Sequence, residues 1–160
     1  MPNWCVGELK VRGTKKNLRE FLSKGLMIID RRGNAVDMTV EASEDGIYIY
    51  SKSSEAECFY LKGSKRQFIK TNVLDFGWWN KSEDTEILFI LPEFEGAYDI
   101  DVEILKSIST EFSVDFHIYG FEKGMEFNRD VMVVSGIVIR DDVIEFEDYK
   151  WECVSPSLGG

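Results

Sequence analysis

Trp4-Cys5-Val6-Gly7-Glu8-Leu9-Lys10-Val11-Arg12-Gly13, WCVGELKVRG over residues 4–13, is the stretch on which the fold turns. Cys5, Gly7, Leu9, Val11 and Gly13 fall on one side of an alternation, and Trp4, Val6, Glu8, Lys10 and Arg12 on the other. A period of two is the period of a β-strand. Cys5, Leu9 and Val11 are therefore predicted to face a core, with Trp4 opening the strand over a sheet edge. Two roles are open to Cys5, a reactive thiol presented at the surface or a small buried hydrophobe, and the apolar residues that share its side favour burial.

Outward from that strand, Thr14 is a helix N-cap and Leu18, Phe21 and Leu22 recur at i, i+3 and i+4, with Gly25 as the stop. This predicts a helix over 15–24. A short strand follows at Leu26 to Ile29, then the turn Arg31-Arg32-Gly33-Asn34. Val36, Met38 and Val40 alternate with Asp37, Thr39 and Glu41, and Ile47 to Tyr50 lies beyond Glu44-Asp45-Gly46, which reads as a hairpin. Residues 51–83 carry no sustained period. Their basic group, Lys62, Lys65, Arg66 and Lys70, lies among Phe59, Tyr60 and Phe68. That mixture fits a solvated, partly helical connection, or a grip on single-stranded nucleic acid by charge and stacking.

Glu86 to Leu91 is an apolar strand ended by Pro92, and Asp99 or Asp101 caps a second helix with the stripe Ile104, Leu105, Ile108 and Phe112. Val114, Phe116 and Ile118 then alternate with Asp115, His117 and Tyr119 as another strand. Val131 to Val134, Ile137 to Ile139 and Val143 to Phe146 are hairpin material ending at Trp151. The order predicts an α+β fold of the split βαβ kind, an antiparallel sheet with two main helices on one face.

The 160 residues, 44 % hydrophobic and 13 % aromatic, suffice for a single domain over 1–160. No apolar run reaches the roughly 18 residues of a membrane span, and no basic and apolar leader opens the chain. A cytoplasmic protein is expected. Cys5, Cys58 and Cys153 are odd in number and widely spaced, which argues against a disulfide framework. The net charge of -10 is unevenly placed: residues 1–80 hold 13 Lys+Arg against 10 Asp+Glu, and residues 81–160 hold 6 against 19. Such a second half repels phosphate backbones, so nonspecific DNA or RNA binding through it is not expected, and a basic partner is its natural complement.

Catalytic chemistry has little footing. The single histidine, His117, shares a strand face with Asp115, which would orient a general base, but same-face neighbours on a solvated strand pair in this way by default. Three dispersed cysteines lack the spacing of a zinc site, and neither a dinucleotide fingerprint nor a P-loop occurs. No catalytic residue, metal or cofactor is predicted. The adjacent Trp78 and Trp79 point to opposite faces if extended, leaving one ring free for a partner or a nucleobase, or both buried against different layers.

The residues also carry a resemblance. Met1-Pro2-Asn3-Trp4-Cys5, then Leu9-x-Val11-x-Gly13 and a helix, resembles the opening of the YubB-type ferredoxin-like proteins encoded by plasmids, phages and prophages. Phe76-Gly77-Trp78-Trp79-Asn80 corresponds to that family's central Trp/Gly stretch, Tyr119 to Phe127 to a later segment, and Tyr149 and Trp151 to its close. Gly7 stands where the family usually has Asn, and Phe76-Gly77 with adjacent tryptophans replaces its usual Trp-Gly pair. The resemblance implies a ferredoxin-like fold without an iron-sulfur cluster and a mobile-element origin, and it brings no catalytic assignment.

In Asp141-Asp142-Val143-Ile144-Glu145-Phe146-Glu147-Asp148, Ile144 and Phe146 are expected to face the core while Asp141, Glu145 and Glu147 line the outer face. Same-face neighbours on a strand lie roughly 6.6 Å apart, close to the spacing of phosphates along one DNA strand. With Glu122, Glu126, Glu83, Asp84 and Glu86 they would imitate a nucleic acid before a basic channel; a solvating surface is the plainer alternative. The expected function is a non-enzymatic protein of mobile-element origin. It would bind a basic, nucleic-acid-handling host protein, such as a CRISPR effector or another defence nuclease, through Asp141, Glu145, Glu147, Glu122, Glu126, Trp78 and Trp79. The alternative is a small-ligand or nucleotide binder using Trp78 and Trp79 with Lys65 and Arg66. Exposed strand edges also leave a homodimer open.

Overall fold

The computed structural model describes residues 2–64, 66–79 and 82–154, so Met1, Lys65 and Asn80, named above, lie outside the described residues. In chain order the elements are β1 (Trp4–Thr14), α1 (Lys15–Lys24), β2 (Leu26–Asp30), β3 (Ala35–Val36), β4 (Thr39–Ala42), β5 (Gly46–Tyr50), β6 (Ala56–Leu61), β7 (Gln67–Ile69), β8 (Val73–Gly77), β9 (Glu86–Ala97), α2 (Val102–Phe112), β10 (Asp115–Glu122), β11 (Phe127–Val134), β12 (Ile137–Glu145) and α3 (Tyr149–Glu152). The fold is α+β and mostly antiparallel. Nine strands form one sheet in the order β12-β11-β10-β1-β9-β7-β6-β2-β3, and β4-β5-β8 form a second.

The period-two stretch behaves as predicted in burying Cys5, Leu9 and Val11. Its position differs. β1 pairs with β10 on one side and β9 on the other, so Trp4 stands on an interior strand and covers no edge. Thr14 Oγ1 accepts the Asn17 N–H at 3.2 Å and starts α1, and Asp101 accepts the Ile104 N–H at 3.2 Å and starts α2. Phe21 of α1 meets Phe112 of α2 and Phe116 of β10 edge to face, at 6.1 and 5.4 Å between ring centres, so the two helices close over the same face of the sheet. Each apolar side chain fully buried there contributes about 1.5–3 kcal/mol relative to exposure.

Three stretches depart from expectation. Residues 36–41 are not one strand: β3 pairs with β2 in the large sheet and β4 with β5 in the small one, and the chain crosses between sheets at Asp37 and Met38. The middle region is not a helical connection. β6 and β7 enter the large sheet between β2 and β9, and β8 completes the small one. Pro92 does not end its strand either. Gly7 opposes Phe94 and Leu9 opposes Leu91, so the extra residue at Pro92-Glu93, where Glu93 has φ 54°, forms a bulge and β9 continues to Ala97. A bulge is where a strand tolerates proline. The small sheet packs on the large one through Phe76, stacked on Phe89 at 4.3 Å, and Trp78, at 5.4 Å from the same ring. One apolar cluster therefore runs through both sheets. Among the described residues no helix is long and apolar enough to cross a membrane.

Candidate functional site

The acidic residues expected to act together do not share one surface. Glu122 is buried on the helix-bearing face opposite Cys5, and its carboxylate accepts the N–H groups of Gly124 at 3.0 Å and Met125 at 2.5 Å, closing the β10–β11 turn. It therefore leaves the set of surface acids. Asp141 is held by Arg129, which is itself buried and spans from Asp141 at 2.5 Å to Asp99 at 2.7 Å. Burial pushes the Arg129 guanidinium down, and the two carboxylates more than offset it. The triad ties β11 to β12 and to the loop before α2. Glu83 is shared by Lys15 and Arg19, and Glu86 lies 3.7 Å from Arg12.

Glu126, Asp142, Glu145 and Glu147 are exposed and form no ion pair among the described residues. Glu126, Glu145 and Glu147 lie at the outer edge of the large sheet, where Glu145 opposes Phe127 in the β11–β12 ladder, with Asp142 three residues back on the other face, and β12 has no further neighbour among the described residues. The expected comb of carboxylates is absent. β12 ends at Glu145, so Glu147 lies past the strand, and Val143 separates Asp141 from Glu145, which places those two about 13 Å apart. Ile144 faces away from the main core. It opposes Asn128, while Phe146 packs edge to face on Tyr149 of α3 at 5.1 Å, and the Tyr149 hydroxyl donates to Asn128 Oδ1 at 2.7 Å. The same edge exposes Ile137, Ile139 and Val143.

The tryptophans divide as one of the expected arrangements has it. Trp78 is buried on Phe89, with the Lys15 ammonium 5.7 Å from its ring centre, so it offers no face to a partner. Trp79 is fully exposed, at 102 %. It follows β8 near the C-terminal end of β1, whereas Glu145 lies level with Cys5 at the other end. The fold thus does not unite Trp79 with the acidic edge.

His117 does share a face with Asp115 and Tyr119, but its partner is different. Asp115 accepts from Arg12 at 2.8 Å and from the Ser135 N–H at 3.0 Å, while His117 Nε2 lies 2.9 Å from Asp130, whose other oxygen accepts from Arg140 at 2.7 Å. A cavity of about 210 Å³ beside it is lined by Lys10, Arg12, Leu88, His117 and Met132. Cys5 is fully buried, and burial first, then the nearby Asp99, pushes its thiol up to about 12, which leaves no thiolate at neutral pH. Among the described residues no group of three or more His, Cys, Asp or Glu is placed to hold a metal ion.

The aromatic and basic residues at 59–70, read above as a connection or a single-strand grip, belong to a surface whose geometry was not anticipated. On the face opposite α1 and α2 a row of side chains crosses the sheet one per strand, from Tyr60 through Phe68, Glu95, Val6 and Phe121 to Asn128, where α3 covers it. Its far end, at β6 and β7, meets Trp4 and the Arg31-Arg32 turn. The signal was present in the aromatics interleaved with basic residues at 59–70, but the missing period hid the strands that align them. The chain matches no family model, and no similarity to a curated protein or to a solved structure was found.

Proposed function

We propose that the protein is a non-enzymatic binding protein that engages a basic, nucleic-acid-handling partner through the acidic edge formed by β12 and the segment after it. The observation that carries this is the cluster of Glu126, Glu145 and Glu147, without ion pairs among the described residues, at the Phe127–Glu145 end of an edge strand that also exposes Asp142 and Val143. Unpaired carboxylates steer a cationic partner toward the edge. The backbone groups on the outer side of β12, unpaired among the described residues, and its apolar side chains then supply contact, as in strand addition. Recognition rests on the sign and density of charge, without a phosphate-like repeat.

The finer assignment is a ferredoxin-like protein of the YubB type, acting in the cytoplasm of a cell that carries a phage or other mobile element, with a defence nuclease such as a CRISPR effector as its target. Three features support it: the opening Pro2-Asn3-Trp4-Cys5, the helix-spanning connections β1-α1-β2 and β9-α2-β10, and the interposition of β9 between β1 and β2. β6 and β7 are then an insertion into the ferredoxin-like strand order. A pull-down from host lysate tests the reading. The expected result is a basic nucleic-acid-binding protein, identified by mass spectrometry, whose recovery falls with salt and is lost with Glu145→Lys plus Glu147→Lys. Recovery indifferent to both salt and charge reversal overturns it.

A further inference from the structure

We propose that the groove at β2, β6 and β7, on the face opposite α1 and α2, binds a nucleoside phosphate, free or as one unit of a single-stranded nucleic acid. This goes beyond the acidic edge and does not rest on it. The groove encloses about 580 Å³, within the range of roughly 300–1,000 Å³ usual for ligand sites. Trp4, Tyr60 and Phe68 form its aromatic wall: Phe68 lies 5.8 Å from Trp4 at 68° and 5.9 Å from Tyr60 at 40°. All three rings are half-buried, fixed by one another yet open on the groove side. Rings standing on an uncovered sheet face are the means by which sheets hold an unstacked base.

The other wall is cationic. The turn after β2 carries Arg31 and Arg32, and Lys70 follows β7. Arg32 forms no ion pair among the described residues. Arg31 meets Glu57 at 3.2 Å with both side chains at least half exposed, and Lys70 meets Glu95 at 3.5 Å. The exposed Arg31–Glu57 pair contributes little, so a phosphate displaces it readily, whereas Lys70 meets the more sheltered Glu95. The remaining acid, Asp30, is committed to its own turn, where Oδ1 accepts the N–H groups of Arg32 and Asn34, each at 2.8 Å, and Oδ2 the Asn34 amide at 3.0 Å. A planar ring stacked on the open side of this aromatic wall and an anion at Arg31 and Arg32 together describe a base and its phosphate. A neutral sugar or an apolar ligand would use only one wall.

Anisotropy of a labelled single strand of about eight nucleotides, alongside calorimetric titration with adenosine monophosphate, tests the assignment on the full chain. Binding that weakens with salt is expected. Phe68→Leu, which keeps apolar bulk and removes the ring, should weaken it at least about fivefold. Arg32→Glu should weaken it and reduce the salt slope by about 0.7 or more, and Glu57→Gln, which frees Arg31, should strengthen it. Competition by the mononucleotide assigns the site to a free nucleotide, and oligonucleotide binding without it assigns a chain; either supports the proposal. Failure of both probes to bind at about 50 mM salt overturns it, as does binding equal in Arg32→Glu and the parent chain. Arg32 is on an exposed turn, so that variant decides the matter even if Phe68→Leu does not fold.

Discussion

Cys5 Sγ lies 2.5 Å from the point that a Cβ on Gly120 would occupy, with Ile100 next at 3.1 Å, so the helix-bearing face is filled up to the backbone of β10. The sulfur and the backbone must shift to admit a methyl. Gly120→Ala is expected to destabilise the protein by about 1–3 kcal/mol, and Cys5→Ala in the same chain to recover part of that loss through the freed volume. Urea denaturation of the two single variants and the double variant measures the coupling; strict additivity would mean that the residues do not meet. The same thiol sets a pH dependence. Its folded value, about 12, is raised from 9.0. The stabilisation is therefore complete below about pH 9 and is lost as pH rises toward 12. Cys5→Ala should flatten the fall in denaturation midpoint across that alkaline window.

At the scale of elements, the β11–β12 hairpin turns on Ser135 and Gly136, both with positive φ, at 51° and 74°. Two such residues between paired Val134 and Ile137 make a type I′ turn. The Gly136 N–H donates to the buried Ser109 Oγ of α2 at 2.8 Å, and Thr110 occupies the space that a Cβ would need. Gly136→Ala should thus cost about 1–3 kcal/mol, whereas Ser135→Asn, which suits the left-handed region, should gain a few tenths; thermal unfolding separates the signs. Tight turns of this sort are readable from residue type, as are β1, α1, α2 and β10, whose apolar periods run unbroken. β9 was legible only to Leu91, because the bulge at Pro92-Glu93 resets the alternation so that Phe94 returns to the face of Leu91. β6 and β7 were not legible, since each is short and pairs on its other side with a strand distant in sequence, β6 with β2 and β7 with β9.

For the whole molecule, sequence charge foretold an acidic half but not its partition, because pairing across strands decides which carboxylates remain free. Arg129 removes Asp141 and the turn at Gly124 removes Glu122, leaving the free acids at one margin of the sheet and the Arg31-Arg32 groove toward the other. Tyr60 and Ile144 are separated by six strand intervals, about 29 Å along the sheet. At physiological salt the Debye length is about 8 Å, so the acidic edge is not felt in the groove; at about 0.01 M it grows to about 30 Å, and the edge then repels a phosphate there. Glu145→Lys plus Glu147→Lys is therefore expected to leave oligonucleotide affinity unchanged at about 0.15 M salt and to raise it several-fold at about 0.01 M. Anisotropy titrations of both chains at the two salts measure this. An effect of equal size at both would place the nucleic acid on the edge itself, and no effect at either would mean that the charges act only where a partner touches them.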